Sequence, residues 1–149
     1  MGSTSQGFVA EGVKEFEERI KKYCSYERIE LPGVKTSSDT APSDLKKKES
    51  IVLLKQLSEG DYLVLLDENG KTYHSVDFAR QLQKMMNRGV KNICFMIGGA
   101  YGFDETVYKR ANEKIALSSL TFSHQLVRVI FTEQLYRALT ILKGEKYHH

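Results

Sequence analysis

The chain has 149 residues, of which 41% are hydrophobic and 28% charged. That is one domain's worth of sequence, able to bury about two-thirds of the surface its unfolded form exposes. With 11 Gly, 2 Pro and no apolar run near the roughly 18 residues of a membrane span, disordered, collagen-like and integral membrane classes are excluded. A formal charge of +3 permits a local basic surface without demanding a polyanionic partner.

Residues 1–7 carry neither the basic nor the apolar region of a secretory signal and read as a vector scar or trimmed end, leaving 8–149 as a single domain. Val9, Val13, Phe16, Ile20 and Tyr23 recur at four-three spacing and predict a first helix. Of the two cysteines, Cys24 and Cys94, the second lies in an apolar run where a reduced thiol is expected, which points to a cytoplasmic protein. Tyr26 to Leu31, closed by Pro32-Gly33, reads as a short strand, and 34–43 as a polar loop. Ser43 is positioned to cap a second helix reaching Leu57, with Leu45, Val52, Leu53 and Leu57 for the core.

Tyr62 to Leu66 is a continuous apolar run ending at Asp67-Glu-Asn-Gly70, the pattern of a strand buried on both faces that stops at a turn. A third helix is expected from Val76 to Arg88, capped by Ser75 and closed by Gly89, with Phe78, Ala79, Leu82, Met85 and Met86 inward. Ile93 to Ile97 is a second doubly buried strand and leads into Gly98-Gly-Ala-Tyr-Gly102, after which Asp104 is positioned to cap a fourth helix through about Asn112. Ile115 to Ser118 is a further strand. The last helix, His124 to Leu142, is apolar nearly all round and needs covering on several sides, which suggests a subunit interface. Strands alternating with helices at these lengths predict an α/β fold with a mainly parallel sheet flanked by helices. Ligands of such sheets bind outside the carboxyl ends of the strands, which directs attention to Leu66-Asp67, to the glycine loop and to Leu117–Phe122.

Glycines at 98–102 leave backbone groups open to a ligand, so a branched side chain at Gly98 is expected to block it while sparing the fold; a ligand-free tight turn explains them equally. Neither Gly-x-Gly-x-x-Gly nor Gly-x-x-x-x-Gly-Lys-Ser/Thr occurs, and the four histidines and two cysteines are too scattered to predict a metal site. Ser123-His124 lacks the glycine elbow of a hydrolase, so Ser123 reads as a helix cap. Glu133 and Arg137 have the spacing of an intrahelical ion pair, and with Arg128 they interrupt an apolar helix; structural and binding roles both stay open.

Leu65-Leu-Asp-Glu-Asn-Gly70, Ile97-Gly-Gly-Ala-Tyr-Gly102, Leu117–Phe122, His124-Gln-Leu-Val-Arg128, Glu133-Gln-Leu-Tyr-Arg-Ala138 and Tyr147-His148 together resemble the ribosomal large-subunit pseudouridine N3-methyltransferase family, a branch of the SPOUT, or α/β-knot, methyltransferases. The resemblance spans about residues 8–149. It implies a homodimer with a deep C-terminal trefoil knot that binds S-adenosylmethionine and methylates N3 of a pseudouridine in 23S ribosomal RNA, with no metal and no membrane partner. Carried over by position, the cofactor contacts are Leu66, Gly98, Leu117, Ser118, Ser119, Leu120, Thr121 and Phe122. Arg128 is the candidate for holding phosphate or stabilising the deprotonated base, His148 for a base or orienting group, and Tyr147 for packing under the target base. Relatives carry an apolar strand before the first helix where this chain has only Met1 to Gly7, so that strand is expected to be missing. Lys146 stands where many relatives have proline before the Tyr-His pair. A non-catalytic RNA-binding or scaffold dimer is the competing reading, and a nucleotide-binding oxidoreductase a more distant one.

Overall fold

The computed structural model describes residues 3–4, 7–34 and 40–148. In chain order the elements are α1 (Phe8–Ile20), α2 (Pro42–Leu54), β1 (Tyr62–Thr72), α3 (Ser75–Met86), β2 (Ile93–Ile97), α4 (Glu105–Arg110), β3 (Glu113–Ala116) and α5 (Leu126–Leu142). The mixed α/β architecture expected from the sequence is present, with a small parallel sheet in the order β2-β1-β3.

The central strand divides the core. Tyr62, Val64 and Leu66 point to one face and pack with Phe78, Leu82 and Met85 of α3, Phe131, Leu135 and Leu139 of α5 and Ile20 of α1. Leu63 and Leu65 point the other way, against Leu53 of α2, Met96, Phe103 and Val107 of α4. A two-residue period with apolar groups on both faces is the continuous run a central parallel strand needs. Helices α1 and α5 approach closely at Gly12, where an added Cβ would stand 3.2 Å from a methyl of Val129.

Several expectations are corrected. Tyr26–Leu31 is irregular and joins no ladder; Ile29 is 57% exposed, and Arg28 is held instead by Glu17 through an Nε–Oε1 hydrogen bond of 2.6 Å. Side-chain alternation marks an extended segment, whereas a strand also needs a sheet edge to pair with. Helix α2 starts at Pro42 without a side-chain cap, because proline at the first helical position supplies the helical φ itself and has no N–H to satisfy. Ser75 begins α3 rather than capping it, and its hydroxyl donates to Gln134 Oε1 at 3.4 Å. Met86, expected inward beside Met85, is 44% exposed because it lies a further 100° or so round the helix. Strand β2 is only half-buried over most of its length, as an edge strand must be.

Strand β1 also runs through the expected turn at 67–70: its register with β3 shifts between Leu66 and Lys71, and pairing resumes at Lys71 and Thr72. No strand precedes β1 among the described residues, and residues 1, 2, 5, 6, 35–39 and 149 lie outside them, so parts of the expected N-terminal end and polar loop do too. No described helix is long and apolar enough to cross a membrane.

Candidate active site

Leu66 is paired with Ile97 on one side and Ile115 on the other. The residues that follow these partners, Gly98 and the segment from Leu117, therefore leave the sheet at the same end as Leu66. With parallel strands about 4.8 Å apart, the three segments selected from the sequence line a rim about 10 Å long. The ladder of β3 ends at Ala116, so Leu117 and Ser118, expected in the strand, belong to the loop. Inside it Leu120 N–H donates to Ser118 Oγ at 2.9 Å, and Thr121 donates through Oγ1 to Glu68 Oε2 at 3.3 Å, which ties this loop to the irregular stretch of β1. Ser119 and Thr121 are exposed, Phe122 is half-buried, and Leu120 is 72% exposed, an uncommon placement for an apolar side chain held in a structured loop.

The middle segment is a tight turn in which Gly99 and Gly102 form an antiparallel bridge, with Gly102 N–H donating to Gly99 C=O at 3.1 Å. Gly102 has φ 74, in the region that favours glycine. A Cβ at Gly98 would lie 3.3 Å from the Gly102 carbonyl carbon and the Phe103 ring. This corrects the expectation that a branched side chain at 98 acts on a ligand alone, since valine there would also press on the loop. At Gly99 a Cβ would meet the Glu49 carboxylate, 2.5 Å from Oε2.

Asp104 holds the far end of the turn as expected, its Oδ1 accepting from the N–H groups of Thr106 and Val107 at 3.0 and 3.1 Å. Asp104→Ala is expected to cost about 1 kcal/mol, the usual value of a lost helix cap. Urea unfolding tests this, and unchanged stability would show that α4 holds its start without the cap.

Asp67 accepts hydrogen bonds from the Tyr108 hydroxyl and from Asn69 N–H. Burial and this carboxylate push the Tyr108 hydroxyl up to about 12, so it is a neutral donor there. Sequence reasoning missed Glu49, on the inner side of α2. It was legible as the charged member of a Leu45, Glu49, Leu53 row at four-residue spacing, which places it on the core-facing side.

The remaining predicted residues lie on α5 and the tail. Arg128 is only 7% exposed, and its Nη1 donates to Thr4 Oγ1 at 2.8 Å; burial and the neighbouring Arg28 lower its pKa. Glu133 and Arg137 form the ion pair their spacing predicts, with Arg137 Nε at 3.0 Å from Glu133 Oε1. Gln125 rather than Ser123 stands at the cap position of α5, and Ser123 acts two residues earlier, its Oγ accepting from Leu126 N–H at 3.2 Å. Gly144 takes φ 69 and turns the chain back. Tyr147 then packs edge-on against Tyr136, with ring centroids 4.7 Å apart, lies under the Arg137 guanidinium and donates to Glu133 Oε1 at 3.2 Å. The tail is docked on α5, and His148 beside Tyr147 is half-buried.

Comparison with known proteins agrees with the motif resemblance. "Ribosomal RNA large subunit methyltransferase H" of Parabacteroides distasonis is 46% identical over 149 residues, covering 100% of this chain and 95% of the relative. The protein of the same name from Cytophaga hutchinsonii is 47% identical over 152 residues, covering 100% and 96%. A family model described as "Predicted SPOUT methyltransferase" matches residues 1–148. On sequence identity along its whole length and on the family model alike, the chain belongs to the SPOUT methyltransferase family.

Proposed function

We propose that this chain is a ribosomal RNA methyltransferase that transfers the methyl group of S-adenosylmethionine to N3 of a pseudouridine in 23S ribosomal RNA, acting as a cytoplasmic homodimer with a C-terminal trefoil knot. The carrying observation is that Leu66, Gly98 and Leu117–Phe122 share one end of the parallel sheet in a chain of this family. The names of the relatives, which specify the ribosomal large subunit, support the substrate class.

The residues present fit such a cofactor: the rim is built from a glycine turn and a loop carrying the hydroxyls of Ser118, Ser119 and Thr121, and beside it lies a buried carboxylate oxygen without a hydrogen-bond partner among the described residues. When bound, S-adenosylmethionine supplies an electrophilic methyl on a sulfonium. Leu66, Gly98 and Leu117–Phe122 would hold it, largely by backbone contacts. Positioning contributes much of the rate of such a transfer, since it needs in-line approach more than covalent help. Arg128 would present its guanidinium to a phosphate or a base oxygen, and His148 would take or orient the N3 proton, with Tyr147 stacking under the base.

The exposed Leu120 and Leu126, the second at the start of α5, favour cover by another chain or by substrate. A cleft of about 420 Å³ near the far end of β1 is lined by Lys71, His74, Arg80 and Lys84, with Asp77 as its acidic residue, a balance suited to phosphate.

Calorimetry with S-adenosylmethionine and its demethylated product tests the reading. Saturable binding of both is expected. A folded protein that binds neither while still binding ribosomal RNA is instead the non-catalytic RNA-binding dimer.

A further inference from the structure

We propose that the Glu49 carboxylate receives the α-ammonium group of S-adenosylmethionine, an inference that rests on the methyltransferase reading above and names the contact that its cofactor site requires. Glu49 is 8% exposed, on the face of α2 that looks toward the sheet end. Its Oε2 is the buried side-chain oxygen or nitrogen that has no hydrogen-bond partner among the described residues. The carboxylate lies directly on the glycine turn: an added Cβ at Gly99 would come within 2.5 Å of Oε2 and 2.8 Å of Oε1.

An anion out of water without a partner is unfavourable, and burial accordingly pushes the Glu49 carboxyl up from its ordinary pKa. Natural cores satisfy such groups or use them. The other carboxylates around this sheet end are engaged. Asp67 accepts from Tyr108 and Asn69, Glu68 from Thr121, and Asp104 from Thr106 and Val107. Among the described residues Glu49 is the one whose buried side-chain oxygen is left without a partner.

The ligand chemistry follows from what this oxygen lacks. It needs a hydrogen-bond donor, and its charge needs a cation. A ribose hydroxyl or adenine amino group would supply the first without the second, and the sulfonium the second without the first. The α-ammonium supplies both, in the charge-assisted form that is the stronger hydrogen bond.

The full-length chain is titrated calorimetrically with S-adenosylmethionine, S-adenosylhomocysteine and 5′-methylthioadenosine, which keeps the adenosine and sulfur but lacks the amino-acid part. Glu49→Gln is expected to weaken the first two at least tenfold and leave the third within about twofold. Its ligand-free thermal midpoint should equal or exceed that of the unsubstituted protein, because a buried uncompensated charge is removed. Gly99→Ala, which displaces the carboxylate without removing its charge, should reproduce the ligand pattern.

Unchanged binding of S-adenosylmethionine by Glu49→Gln would overturn the assignment. So would equal weakening of all three ligands, or a lowered thermal midpoint, which would make Glu49 a structural residue. If the unsubstituted protein binds none of the three, it is the methyltransferase reading that fails, and the assignment falls with it.

Discussion

Gly70→Ala is expected to destabilise the protein by about 3 kcal/mol, at the upper end of what overpacking costs. An added Cβ would stand 2.6 Å from both the backbone N and the carbonyl carbon of Ile115 and 2.7 Å from that of Lys114. These are backbone atoms of β3, so no side-chain rotation relieves the clash, and β1 and β3 must move apart. Among the described residues strand β3 pairs only with β1, so separation there loosens the start of the 117–122 loop as well. Gly60→Ala provides the control, since a Cβ there meets nothing within 4 Å and the cost should stay within about 0.5 kcal/mol. Chemical denaturation of both variants checks this, and a loss below about 1 kcal/mol for Gly70→Ala would mean that the strands yield easily at this point.

Deletion of residues 147–149 should lower methyl transfer to ribosomes at least tenfold, or about 1.4 kcal/mol of transition-state stabilisation, with S-adenosylmethionine affinity within about twofold of the intact chain. The contacts of Tyr147 are with Glu133, Tyr136 and Arg137 of α5, and Tyr23 of α1 donates to Glu145 Oε2 at 2.6 Å. The tail is thus carried by the helices, while the proposed cofactor contacts belong to the strand ends, and the two can be separated by mutation. Tyr147→Phe keeps the ring contacts and loses only the hydrogen bond to Glu133, so its effect should be several-fold smaller. Transfer of labelled methyl groups measures the first quantity and calorimetry the second. Full activity in the truncated chain would reduce the docked tail to a helix-end clasp.

Leu66, Gly98 and the 117–122 loop were legible as strand-end segments because the signals are local: an apolar run, a cluster of glycines, and a polar loop after a short strand. Gly70 shows the limit of that reasoning. The sequence reads it as a turn glycine, and its folded role is close approach to another strand's backbone, a relation between residues 45 positions apart that no local pattern encodes. Glu49 shows the same limit from the side of charge. Its row with Leu45 and Leu53 marks the inward side of α2, but only the packing of α2 on the sheet places its carboxylate against Gly99.

The sequence by itself determined the α/β class, the stripe of α1, the two-faced burial of β1, the Asp104 cap and the ion pair of Glu133 with Arg137, because each depends on residues within a few positions of one another. Only the tertiary structure decided the strand order β2-β1-β3, the continuation of β1 through 67–70, the absence of a ladder at 26–31 and the docking of the tail on α5. Those outcomes depend on which surfaces meet after long loops close. Their energies come from pairing and burial between segments far apart in the chain, which override local preference wherever the two conflict.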